Sequence, residues 1–200
     1  MRDRAYQVSI IMKILLILVA CLTMATIASA EEWKRSGRVE YYGLLQNMGG
    51  DKTYGSGVMM EIGSTSAIGI GYGSNLSNHL NLNMDMWFGS TNVTGKALGV
   101  TVTGDTTLLG WDANLDINIL QSRFTPIVSG GVGFISFSGD VVGFPFSEID
   151  LSYNYGGGFR WDLTDHFLLK TIYRTTRTTL KETDKALMLS GAAISICFIF

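Results

Sequence analysis

The segment from Leu80 to Phe88 alternates almost without a break. Leu80, Leu82, Met84, Met86 and Phe88 interleave with Asn81, Asn83, Asp85 and Trp87. A period of two places these sets on opposite faces of a strand. One face is apolar throughout, whereas the other carries amides and a carboxylate. Further along, Leu109, Trp111, Ala113, Leu115 and Ile117 alternate with Gly110, Asp112, Asn114, Asp116 and Asn118. Ile149, Leu151, Tyr153 and Tyr155 alternate with Glu148, Asp150, Ser152 and Asn154. A sheet closed on itself, with lipid outside and polar groups inside, accommodates both faces.

The pattern divides the chain into eight segments: 37–46, 59–73, 80–88, 106–119, 125–138, 148–161, 166–178 and 186–200. Strands of about 9–13 residues within these segments suit tilted crossings of a bilayer. The stretches 48–57, 91–105, 139–146 and 181–184 read as loops, and 74–78, 120–124 and 162–165 as short turns. Abundant Gly (24) with rare Pro (2) fits many strands and tight turns. The expected fold is all-β: an eight-stranded antiparallel up-and-down transmembrane β-barrel. Short turns at one end and longer loops at the other put both termini in the periplasm. Tyr72, Trp161, Phe167, Phe198 and Phe200 then fall near the periplasmic rim, where an aromatic girdle belongs.

Residues 1–30 read as a signal peptide, leaving 31–200 as the barrel domain. Arg2, Arg4 and Lys13 precede the apolar run Ile14 to Ala20, and Ala28-Ser29-Ala30 supplies a small-residue cleavage site. Met12 is an alternative start, and Leu18-Val19-Ala20-Cys21 also has the form of a lipoprotein box. Without that leader the chain has 12 Lys+Arg and 16 Asp+Glu, a net of −4, which speaks against nucleic-acid binding. Cys197 is then the one cysteine, expected to pack inside the last strand.

The inward positions hold the candidate site. Arg38, Glu40, Asp85, Asp112, Asp116, Glu148, Asp150, Arg160, Lys170 and Arg174 comprise six acids and four bases. The interior of an eight-stranded barrel is just wide enough for side chains to fill. Opposite charges confined there should pair, because an unpaired buried charge costs several kcal/mol. His79 and His166 occupy matching turns within an echo at a spacing of about 87 residues, Gly71 to Leu80 against Gly158 to Phe167. They read as turn residues, with Asn and Asp expected to supply the local hydrogen bonds. No catalytic residues, metal site or cofactor are expected.

Several of these runs resemble the eight-stranded outer-membrane barrels typified by the opacity proteins and the membrane domain of outer-membrane protein A. Gly158-Phe159-Arg160-Trp161 followed by Asp162-Leu163-Thr164-Asp165-His166 is similar to that family's hairpin between strands six and seven. The run from Thr125 to Gly133 resembles its fifth strand, with Ile127 standing where Tyr is usual. Ile194, Ile196, Phe198 and Phe200 resemble the C-terminal signal read by the barrel-insertion machinery. The resemblance covers residues 37–200. It implies an outer-membrane location, lipid as the surrounding partner, and a monomer that could take a surface ligand through its outer loops.

Three functional readings follow. The first is a barrel with a largely plugged polar lumen, serving envelope integrity or surface interaction. The second is a narrow channel for small solutes or ions. The third, a secreted soluble ligand-binding barrel, would expose Leu80 to Phe88 and Ile149 to Trp161 to water. A charge tests the parity on which all of this rests. Leu82→Arg should destabilise the folded barrel by about 2–4 kcal/mol if residue 82 faces mid-bilayer lipid. Urea unfolding in lipid measures this, and an unchanged midpoint would reverse the assignment of faces.

Overall fold

The computed structural model describes residues 33–50, 52–55, 58–97, 100–141, 144–180 and 185–200. The expected leader lies outside them. The strands are β1 (Val39–Gly50), β2 (Lys52–Gly55), β3 (Val58–Ile62), β4 (Thr65–Asn75), β5 (Leu80–Ala97), β6 (Val100–Asn118), β7 (Phe124–Val141), β8 (Phe144–Asp162), β9 (Phe167–Leu180) and β10 (Lys185–Ile199). Every pairing is antiparallel. The ring runs β4-β1-β10-β9-β8-β7-β6-β5 and returns to β4, closing an eight-stranded barrel. At the seam, Val39 N donates to Phe200 O at 3.1 Å and Phe200 N donates to Val39 O at 2.9 Å. We call the end near these residues the terminal end, and the opposite one the hairpin end.

The short strands β2 and β3 extend β1 and β4 toward the hairpin end in one register, since Val39 faces Ser74 and Lys52 faces Glu61. On the other side, β5 pairs with both β3 and β4, with Ile62 opposite Val93 and Ser66 opposite Ser90. Residues 63–65 therefore oppose only 91–92, a one-residue β-bulge. Gly63 N donates to Asn92 O at 2.9 Å, and Thr91 Oγ1 donates to Gly63 O at 3.0 Å. The bulge flips parity, so that Ile62 and Thr65 both point inward and are buried.

Lipid-facing and inward sets fall as the alternation assigns them. Leu82, Met84, Met86 and Phe88 are exposed, while Asn81, Asn83, Asp85 and Trp87 are buried. The same holds for Leu109, Trp111, Leu115 and Ile117 against Asp112, Asn114, Asp116 and Asn118. Cys197 is buried on the inner face of β10. On β7, whose glycines obscure the pattern, Ile127, Ser129, Ile135 and Phe137 point inward, and Val128, Val132 and Phe134 outward.

The loop assignments need correction. Strands β5 to β8 are 18–19 residues long, not 9–13. The stretch read as a loop from Thr91 to Asp105 is a paired hairpin, with Thr91 opposite Thr106 and Ala97 opposite Val100. Its Thr and Val content favours a pleated ladder, and facing Thr pairs support it. Thr94 Oγ1 and Thr103 Oγ1 lie 3.3 Å apart. Likewise, β7 continues to Val141 and β8 begins at Phe144, within the stretch read as a third loop. Most of the first loop is β1 and β2. Residues 181–184 lie outside the described residues.

The repeated turns at the terminal end share one device. Ser77 Oγ accepts from His79 N and Leu80 N at 3.2 and 3.0 Å. Thr164 Oγ1 accepts from His166 N and Phe167 N at the same distances, 3.2 and 3.0 Å. Hydroxyls at the matching positions do what was expected of Asn and Asp. Tyr72, Trp161, Phe167, Phe198 and Phe200 are all exposed at this end. Tyr41 sits edge-on to both Tyr72 and Phe200, with ring centroids 5.3 and 5.7 Å apart, tying the seam together on its lipid side.

Candidate functional site

The barrel interior is built in two layers. The layer nearer the terminal end is charged, and Glu40 is its hub. Arg160 Nη1 lies 2.7 Å from Glu40 Oε1, and Lys170 Nζ lies 2.9 Å from Glu40 Oε2. Asn75 Nδ2 and Asn81 Nδ2 also donate to Oε1, at 2.6 and 3.2 Å. β1, β4, β5, β8 and β9 thus meet at one carboxylate.

Deeper in, Lys170 reaches Asp116 at 3.4 Å, and Asn83 Nδ2 donates to the same Oδ2 at 2.7 Å. Both terminal nitrogens of Arg174 donate to Asp85 Oδ2 at 3.1 Å. The Tyr42 hydroxyl donates to the other oxygen of Asp85. Asp112 accepts from Trp87 Nε1 at 2.9 Å and from Asn154 Nδ2 at 3.1 Å, and lies 3.8 Å from Arg174. Asp116 and Arg174 help line a small space of about 10 Å³, roughly the size of one water.

Alternation alone does not reveal one member of this layer. Arg35 precedes β1 and is fully buried. Its Nη2 lies 2.8 Å from Asp162 Oδ2, its Nη1 donates to Leu120 O at 3.1 Å, and its Nη2 also donates to Ser122 O. Asp162 in turn holds Arg160, at 2.9 Å. Burial pushes the Arg35 pKa below its ordinary value and Asp162 opposes that shift, yet a guanidinium stays charged in any case. Arg38 N donates to Arg35 O at 3.1 Å, closing a turn whose third residue, Gly37, has φ 81°. A positive φ there suits glycine, and it folds the segment back over the barrel mouth. Trp33 N donates to Gln121 O at 2.8 Å, and the Trp33 ring takes the guanidinium of Arg123 at 4.2 Å. The available signal is the run Trp33-Lys34-Arg35-Ser36-Gly37, an aromatic and basic pair ahead of a turn glycine.

The layer toward the hairpin end is largely apolar, with Gln46 buried opposite Ala67 and Asp150 buried opposite Ile135 as its polar members beside several hydroxyls. Met48, Leu108, Ile135 and Leu187 are fully buried, and Trp87 and Leu189 are each 1% exposed. They form one cluster with Leu44, Ile62, Val93 and Phe137. Trp87 joins the layers, packing with this cluster while its indole N–H donates to Asp112.

The sequence matches the family described as "Outer membrane protein beta-barrel domain" over residues 14–196. The chain belongs to this family. Solved outer-membrane barrels share the fold at low sequence identity. OprG from Pseudomonas aeruginosa is 14% identical, with TM-score 0.63 over 84% of this chain and 98% of its own. Ail, the attachment invasion locus protein of Yersinia pestis, is 13% identical, with TM-score 0.52 over 82% and 99%. Neisserial surface protein A is 16% identical, with TM-score 0.52 over 82% and 97%. Comparison with curated proteins gives no match.

Within this outer-membrane barrel, Glu40, Asp85, Asp112, Asp116, Arg160, Lys170 and Arg174 come together through ion pairs. Three other inward candidates stand apart. Arg38 is half-buried at the rim, its guanidinium 4.9 Å from the Trp33 ring centroid, because the turn at Gly37 ends the strand parity just before it. Asp150 is buried on β8, and its Oδ2 has no hydrogen-bond partner among the described residues. Glu148 lies on β8, but its side chain is outside the described residues. His79 is a turn residue, bridging Asn118 O and Gln121 Nε2 at 2.8 Å each. His166 is exposed in the matching turn.

Because Glu40 answers two cations, its removal leaves both short of a partner. Glu40→Gln should destabilise the barrel by about 3–5 kcal/mol, the cost of breaking a buried pair from one side. A double-mutant cycle with Lys170→Met should return part of that loss. Urea unfolding in detergent measures both.

Proposed function

We propose that this outer-membrane barrel is a non-enzymatic envelope protein whose filled interior braces its wall, leaving the hairpin end to make surface contacts. One observation carries the reading: a charged layer and a largely apolar layer lie in series along the same interior. Arg35 and Asp162 close the terminal end of the first layer at 2.8 Å, and Met48, Leu108, Ile135 and Leu187, all fully buried, occupy the second. An ion entering either layer would have to displace a buried pair or shed its water against hydrocarbon, and both are costly. On this reading the interior charges set rigidity, and the protein is monomeric and needs no cofactor.

The paired hairpins at the end away from the termini favour surface contact over solute passage, since segments projecting from a closed barrel are where binding is usually carried. Ail of Yersinia pestis, which shares the fold, has been crystallised with the heparin analogue sucrose octasulfate. A sulfated glycan is accordingly the first class of surface ligand to try. In this proposal residues 1–30 direct export, Phe198 and Phe200 are read by the insertion machinery, and both termini face the periplasm.

Planar-bilayer recording tests the brace. The protein should show no steady conductance, and a stable ohmic step in the parent protein would establish the channel reading instead. Orientation has its own test, in cells expressing single added cysteines. An impermeant maleimide should label Thr94→Cys in intact cells and Ser77→Cys only after the envelope is opened. The reverse pattern would invert the barrel.

A further inference from the structure

We propose that the outer wall carries a seat for a single lipid acyl chain at Gly43. The lipid-facing positions around it are large: Tyr41 is 53% exposed, Leu45 62% and Ile70 64%. Gly43 breaks this belt. A Cβ built there would meet nothing within 4 Å, so packing does not require glycine. Backbone does not require it either, since among the described residues only Gly37 has a positive φ. Inward-facing Gly71 differs, because a Cβ there would fall 2.3 Å from the Tyr42 ring.

Gly43 lies within a wide, shallow groove of about 610 Å³ that spans β10, β1, β4, β5 and β6. Tyr41 and Tyr72 stand on the side nearer the terminal end, and Ile70, Met86 and Trp111 on the other. Tyr42 and Asp85 reach the floor from inside, and they satisfy each other through the Tyr42 hydroxyl.

The occupant follows from what this surface already meets. The groove is continuous with the apolar belt, which in an outer-membrane barrel lies against lipid. Met84 and Met86 are unbranched and polarizable, suited to a chain without fixed shape. The edge-on Tyr41–Tyr72 pair marks the interfacial side, where amphipathic rings sit at headgroup level. The lipid would therefore enter from the leaflet at the terminal end, headgroup near the two tyrosines and one acyl chain across Gly43.

Native mass spectrometry of the folded protein, released from micelles doped with palmitoyl-oleoyl phosphatidylethanolamine, tests the seat. The parent should keep one phospholipid after the detergent is stripped. Gly43→Leu should lose it while retaining the heat-modifiable gel migration of a folded barrel. Gly43→Ala, which adds one methyl group, should give a graded loss and keeps the test usable if leucine prevents folding. Gly130→Leu, at a lipid-facing glycine on β7 whose Cβ would lie 3.9 Å from Asn154 O, should keep the lipid. Absence of lipid from the parent, equal retention in Gly43→Leu, or equal loss in Gly130→Leu would overturn the proposal. A two-copy particle abolished by Gly43→Leu would overturn it too, assigning the groove to self-association.

Discussion

Closure of the hydrogen-bonded ring is the constraint from which the rest of this molecule follows. Hydrocarbon offers the backbone no partner, so a sheet crosses a bilayer only when no edge remains. Here the last strand returns to the first, and Val39 and Phe200 complete the ring with a reciprocal pair of bonds. Once the ring is closed, each strand has one face toward lipid and one toward a narrow interior. The bulge at residues 63–65 obeys the same demand, since Gly63 and Thr91 bond across the irregularity and keep the ladder occupied.

The inward face then has to resolve its own polarity. Carboxylates on β1, β5 and β6 and cations on β8 and β9 are far apart in the chain and meet because the ring is small. Neutral amides moderate the ion pairs, with Asn75, Asn81 and Asn83 donating to carboxylates that the cations already hold. Such a network is expensive to desolvate and holds together through its many partners. Toward the hairpin end the cluster around Met48, Leu108 and Ile135 fills the interior mainly with apolar side chains, although Gln46 and Asp150 are buried in register with it.

Parity made much of this legible. From Leu80 to Phe88 and from Leu109 to Asn118 every side chain could be placed on its face, since period two admits only two assignments and lipid accepts one of them. The fold class follows directly. Where the alternation is diluted, the reading weakens: the glycines of β7 hide its faces, and Thr and Gly between Thr91 and Asp105 read as a loop although the backbone is paired. Arg35 was invisible for another reason. It belongs to no strand, and its position inside the mouth depends on a turn at Gly37 and on partners more than eighty residues away, as with the 85-residue separation to Leu120. The apolar layer is not legible in the sequence because buried Leu108 and exposed Leu109 look alike until the phase of the strand is known.

By itself, then, the sequence determined that the chain is a membrane barrel, which residues meet lipid, and that the inward face of several strands carries charge. These depend on local periodicity, which one strand expresses alone. Only the tertiary structure decided which charges meet, that Glu40 is their hub, that Arg35 joins them while Arg38 stays at the rim, and that a largely apolar layer lies in series with the charged one. Each of these depends on register and stagger between strands distant in sequence, and the closing of the ring fixes both.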